Sequence, residues 1–184
     1  MLSRAEWVKA YADDARQATA GSGIFPELLL SQAIIESSGK GPDGNFYPGM
    51  SLLSRQAFNY FGIKANGNWR GPTYSISTRE YVNGQYITVY AKFRKYASVR
   101  DSFADYVKFL KVNPRYSTAG VFTATTPEQQ AERVAAAGYA TSPTYSSLVK
   151  SVIKSVKSYL PPAATALSLL IPVAAIFFLI SRKK

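Results

Sequence analysis

The stretch Leu28-Leu-Leu-Ser-Gln-Ala-Ile-Ile-Glu-Ser-Ser-Gly39 is apolar nearly all round a helical wheel, the pattern of a helix at the centre of a domain. Pro26 suits the first turn of a helix and Gly39 its end, so about three turns lie between them. Glu36 falls on the flank of Leu28, Leu29 and Gln32, where a charged group loses hydration. Burying a carboxylate without a partner is costly and raises its pKa, which is what a proton donor needs. A Glu that snorkels to solvent or pairs with a basic residue remains open at this point.

Working outward from that helix, Ser3-Arg-Ala-Glu6 reads as a capping box. It opens an amphipathic helix through Trp7, Tyr11, Ala15 and Ala18 rather than a signal peptide. Gly39 to Gly49 and Gly62 to Pro72 read as loops. Thr73–Val82 and Gln85–Tyr90 flank Asn83-Gly84, the strongest two-residue hairpin turn. A turn that tight sets Val82 opposite Gln85 and Glu80 opposite Ile87. One face then carries Ile76, Val82, Ile87 and Val89 with Glu80 among them; the other carries Arg79, Tyr81, Tyr86 and Tyr90. A carboxylate on the more apolar face is a local conflict of the kind found at functional sites. An edge-strand charge that deters aggregation is the alternative.

Three helices follow. Ser98 caps one with a stripe of Phe103, Tyr106, Val107 and Leu110, and Thr126 caps a second that stops at Gly138. The third runs from about Thr144 to Tyr159, with Leu148, Val149, Val152, Ile153 and Val156 inside and Lys150, Lys154 and Lys157 outside. The fold class is α+β, mainly α.

The 184 residues, 47% hydrophobic, have room for one globular domain. There is no cysteine and no histidine, which removes Ser-His and Cys-His nucleophile systems and most zinc sites. Acid–base chemistry must run on carboxylates, tyrosines or lysines, and no metal or cofactor is expected. A net charge of +11 favours an anionic partner, but neither a basic helix nor an aromatic-basic RNA-binding motif is present, so nucleic acid is not expected. Ala163 to Ile180 is an uncharged apolar run closed by Ser181-Arg-Lys-Lys184. Its length is near the lower limit for spanning a bilayer, and Pro172 kinks it without forbidding insertion. Residues 1–160 are therefore expected to form the soluble domain. Residues 161–184 would form a single-pass C-terminal transmembrane anchor whose basic tail prefers the cytoplasmic side.

Ala33-Ile-Ile-Glu-Ser-Ser-Gly39 resembles the catalytic-helix motif of the peptidoglycan glucosaminidases of glycoside hydrolase family 73, the autolysin and flagellar-hydrolase group. Four more blocks fall in that family's order. They are Asn59-Tyr-Phe-Gly-Ile-Lys64, then Thr78-Arg-Glu-Tyr81, then Ala91-Lys-Phe-Arg-Lys-Tyr96 with Ser102–Val107 and Asn113-Pro-Arg-Tyr116, and last Ala137-Gly-Tyr-Ala-Thr-Ser-Pro143. The resemblance implies a lysozyme-like fold, with a helical lobe, a small β-hairpin lobe and a sugar-binding groove between them. It implies Glu36 as general acid, Glu80 as the residue that helps a water or stabilises the developing cation, and Tyr139 lining the site. Asn59, Phe61 and Trp69 are weaker candidates for sugar contacts, with core packing the rival reading of Phe61. Asp105 belongs to a block in which family members keep an Asp, yet on the wheel it reads as a helix-surface or structural residue, within reach of Lys108. Ser142 departs from the family's usual Asp before proline.

The expected activity is a membrane-anchored endo-β-N-acetylglucosaminidase acting on peptidoglycan glycan strands. A lytic transglycosylase, which shares fold and acid, stays open. So does a non-catalytic wall-binding scaffold that keeps the groove without turnover. So too does a lysis or structural protein of a membrane-containing virus, which would sit in the virion membrane with other virion proteins and account for the missing leader.

Overall fold

Helix α1 (Arg4–Thr19) opens on the capping box: Glu6 N donates to Ser3 Oγ at 3.3 Å and Ser3 N donates to Glu6 Oε2 at 2.8 Å. The coordinates are a computed structural model that describes residues 1–82 and 85–161, with backbone alone at 78–82, 86 and 89. The apolar stretch forms α2 (Pro26–Ser37) with Pro26 in its first turn. Leu28, Leu29, Leu30, Ala33 and Ile34 are all buried there, each large side chain contributing about 1.5–3 kcal/mol of burial.

Gly39 to Gly49 is not wholly irregular. It holds a two-rung antiparallel ladder, β1 (Gly39–Lys40) with β2 (Phe46–Tyr47), and α3 (Leu52–Ala57) follows. The turn between β1 and β2 closes on Asp43, which accepts from Asn45 N at 3.1 Å and from the Tyr47 hydroxyl at 2.6 Å. Strands this short carry no periodicity to read.

The long hairpin pairs β3 (Thr73–Val82) with β4 (Gln85–Arg94), in the register that sets Val82 opposite Gln85 and Glu80 opposite Ile87. The Asn83-Gly84 turn itself lies outside the described residues. Then come α4 (Val99–Val112), α5 (Pro114–Thr118), α6 (Pro127–Ala136) and α7 (Tyr145–Tyr159). Ser98 and Thr126 cap α4 and α6, accepting from Asp101 N and Gln129 N, each at 3.1 Å. The short α5 went unread in the sequence.

α2 is the hub, packed by α1, α6 and α7, and α4 packs on α1. Trp7, Tyr11, Tyr60 and Phe103 form an aromatic cluster where these layers meet. One helical expectation is corrected. Leu148 is 49% exposed, because the buried stripe of α7 starts at Tyr145 and runs through Val149, Val152, Ile153 and Val156. The apolar run 163–180 lies outside the described residues; among those described, no helix is long and apolar enough to cross a membrane.

Gly39 closes α2 against the backbone of Met50. A Cβ placed on it would stand 2.5 Å from the Met50 carbonyl oxygen, an atom that cannot swing aside. Gly39→Ala is therefore expected to cost about 2 kcal/mol and lower the melting temperature by several degrees, as thermal unfolding would read.

Candidate active site

Glu36 sits in the last turn of α2, held there by the helix's apolar contacts on three sides. Its carboxyl is raised above the ordinary glutamate range, chiefly by burial, and the hydroxyl of Tyr145 donates to Oε1 at 3.0 Å and partly opposes that rise. The C-terminal end of a helix also disfavours negative charge, in the same direction as burial. A carboxyl in this condition keeps its proton to higher pH than a solvated one and can give it to a bound group.

Glu36 opens onto a cleft of about 500 Å³ whose walls include Phe61, Lys64, Arg94, Arg115 and Tyr139. Tyr139 is partly buried at the wall of the cleft, and its phenol ionises well above the usual range, because burial deprives the anion of water and Tyr106 and Tyr145 stand near. Its ring stacks on Tyr145 at 5.8 Å and meets Tyr106 edge-on at 6.3 Å. Arg115 pins the turn that carries Tyr139, donating to the Gly138 carbonyl at 3.1 Å and to the Tyr116 hydroxyl at 2.7 Å.

Phe61 lines the cleft but is 5% exposed and stacked on Tyr106 at 4.1 Å, so its main contact is with the core. Asn59 does not reach the cleft. It is 1% exposed, and its Nδ2 donates to the carbonyls of Ile63 and Arg94, both at 2.9 Å, while its Oδ1 accepts from Ile63 N at 3.1 Å. This side chain pins segment 59–63 to the end of β4, beside the bridge between Lys64 and Phe93. The sequence reading of Asn59 as a sugar contact gives way to a positioning role, because every one of those bonds is to backbone. Asn59→Ala strands buried carbonyls and is expected to cost about 2–3 kcal/mol, visible in denaturant unfolding and as faster amide exchange along β4.

Trp69 stands away from Glu36, in a second depression of about 220 Å³ that shares Asn66, Arg94 and Phe109 with the first. Its indole donates to the Pro72 carbonyl at 2.9 Å, and the Arg94 guanidinium lies over its ring at 4.8 Å. Asp105 fixes that guanidinium, accepting from Nη1 at 3.0 and 2.7 Å, and takes a further bond from the Tyr96 hydroxyl at 2.7 Å. Asp105 is thus structural, through Arg94 and Tyr96. Glu80 is placed by backbone alone: its rung lies seven residues beyond Thr73, whose partner is the cleft residue Arg94, or about 23 Å along the strand.

The sequence reading missed Gln32, Tyr145 and Arg115. Gln32 is 0% exposed and one turn before Glu36; a Gln on so apolar a helix was the available signal, since a buried amide must find partners. Nothing in the sequence marks Tyr145 as more than a core aromatic.

Among the described residues no group of three or more acidic side chains could hold a metal ion. Residues 12–158 match the family model described as "Glucosaminidase: Mannosyl-glycoprotein endo-beta-N-acetylglucosaminidase". The chain is 40% identical over 148 residues to "Peptidoglycan hydrolase FlgJ" of Escherichia coli strain K12, covering 78% of this chain and 44% of that protein. It thus spans less than half the length of that relative. It superposes on the C-terminally truncated glycoside hydrolase domain of Salmonella typhimurium FlgJ with a TM-score of 0.60 at 39% identity, covering 80% of this chain and 93% of the other. The catalytic domain of the Listeria monocytogenes autolysin Auto gives a TM-score of 0.69 at 24% identity, with 86% and 89% covered, a likeness of fold alone. With four-fifths of its length inside one family model and a mainly helical, lysozyme-like α+β fold, the chain belongs to the glucosaminidase family.

Proposed function

We propose that this protein is a peptidoglycan hydrolase, an endo-β-N-acetylglucosaminidase that cuts β-1,4 bonds of the glycan strand with Glu36 as general acid. The observation that carries the reading is the buried, raised carboxyl of Glu36 at the wall of an open cleft, in a chain of this family. Proton transfer from Glu36 to the glycosidic oxygen lets the leaving sugar depart as an alcohol, while an oxocarbenium-like centre develops at the anomeric carbon. Tyr139 supplies a ring surface beside that centre, and Trp69 offers a further platform along the groove. Lys64, Arg94 and Arg115 line the same cleft and suit a glycan that bears carboxylates. Glu80, carried by the hairpin, activates the attacking water or stabilises the cation.

The run 163–180 anchors the domain in a bilayer, either a cell envelope or a virion membrane, on the strength of its uncharged sequence and basic tail. Digestion of purified sacculi by the full-length chain, followed by mass spectrometry, tests the reaction. Reducing N-acetylglucosamine ends are expected; anhydro-muramyl ends would assign a lytic transglycosylase instead. Finding the protein in purified virus particles rather than in envelope fractions would select the virion membrane.

A further inference from the structure

We propose that Tyr145 and Gln32 are positioning residues for Glu36, fixing which of its two oxygens carries the catalytic proton. The inference rests on Glu36 being the proton donor. Gln32 and Glu36 lie one turn apart on α2, and a chain of hydrogen bonds runs behind them, away from solvent. The Tyr106 hydroxyl donates to Gln32 Oε1, Gln32 Nε2 donates to the Tyr145 hydroxyl at 2.8 Å, and that hydroxyl donates to Glu36 Oε1 at 3.0 Å.

The direction of this chain is forced. Tyr106 is fully buried, and its hydroxyl stays protonated because burial drives its ionisation far up. A buried hydroxyl must donate, and the acceptor beside it is the amide oxygen of Gln32. The amide nitrogen therefore faces Tyr145 and occupies that hydroxyl as an acceptor. The proton of Tyr145 is left with one destination, Glu36 Oε1. Were Gln32 turned over, its oxygen would take that proton and Oε1 would lose its donor. Oε1 is thus held as an acceptor whether or not Glu36 is charged, and the transferable proton resides on Oε2.

The same bond sets how tightly the proton is held. Three tyrosines interact with Glu36 from the surrounding elements, Tyr145 of α7, Tyr106 of α4 and Tyr139 of the turn after α6, and Tyr116 of α5 lines the same cleft. The cations that share its cleft are Lys64, Arg94 and Arg115. None of the ion pairs among the described residues engages Glu36; the hydroxyl of Tyr145 is the group that stabilises its charged form, against the opposing effect of burial. Removing that donor leaves burial unopposed and must raise the carboxyl further.

Tyr145→Phe in the full-length chain tests this, since it keeps the ring that stacks on Tyr139. The Glu36 side-chain carboxyl would be followed by carbon NMR, its resonance assigned by its loss in Glu36→Gln. Its titration midpoint is expected to move up by about one pH unit. On soluble glycan strands kcat should fall about tenfold, KM should hold, and the alkaline limb of the kcat profile should move up with the NMR midpoint. Gln32→Met, which leaves Tyr145 unpolarised, should shift both in the same direction by less. A Tyr145→Phe protein whose Glu36 titrates as in wild type, or whose loss lies wholly in KM, overturns the proposal. Failure of the underlying acid reading looks different: Glu36→Gln then cleaves like wild type while the carboxyl still responds to Tyr145→Phe, and the positioning role falls with it.

Discussion

Replacing Glu36 by Gln is expected to lower glycan cleavage by about 10³-fold while leaving the fold intact, the largest effect of any single substitution in the cleft. The amide keeps the shape of the side chain and can still accept from Tyr145, but it has no proton to give at any pH. Wild-type cleavage should hold while the carboxyl is protonated and fall as pH rises through its raised pKa. The variant's residual activity should lack that limb. Stability should favour the variant as pH rises. Because burial raises the carboxyl in the folded state, its contribution to folding is fully present below the unfolded-state pKa and is lost as pH rises through the folded one. Gln is neutral throughout and escapes that loss. The melting temperature of the variant relative to wild type should therefore climb from acid to neutral pH. An inactive variant that is also unstable at every pH would point to a structural Glu36 and against the acid.

The hub of the fold was legible because α2 announces itself. A helix that is apolar on all sides, bounded by Pro26 and Gly39, has nowhere to sit but the centre. Ser3, Ser98 and Thr126 likewise mark helix starts through their own side-chain chemistry. The hairpin register followed from a two-residue turn, which leaves no slack in the pairing. Leu148 was misplaced because a stripe of apolar residues does not say where its edge lies. Asn59 was misjudged for a related reason: an Asn in a loop motif looks the same whether it meets a sugar or backbone groups. Tyr145 reaches Glu36 across 109 positions of chain, a juxtaposition that only the packing of α7 on α2 creates.

Glu80→Gln is expected to lower cleavage by about 10²-fold with little change in stability, and to do so through kcat. In the proposed mechanism Glu36 supplies a proton to one side of the scissile bond, and a negative group on the other side activates water or opposes the charge growing at the anomeric carbon. No second carboxylate is among the described residues lining the Glu36 cleft, and the hairpin is where the sequence offers one. Among the described residues no further strand extends this pair of ten-residue strands, and such a ribbon is marginal by itself. Its base, by contrast, is fixed by Asn59 and by the pairing at Thr73 and Arg94. The proposed role has this arm, held at its root, carry Glu80 over a bound strand. The contribution of Glu80 should then be made in the transition state and not in ground-state binding, leaving KM nearly unchanged. Azide separates the possible roles. In Glu80→Ala, azide can take the place of water at the anomeric carbon while Glu36 still protonates the departing sugar oxygen, so a glycosyl azide and a rate that rises with azide are expected. Full activity of Glu80→Gln without azide would instead mean that the substrate's own N-acetyl group attacks, and that one acid suffices.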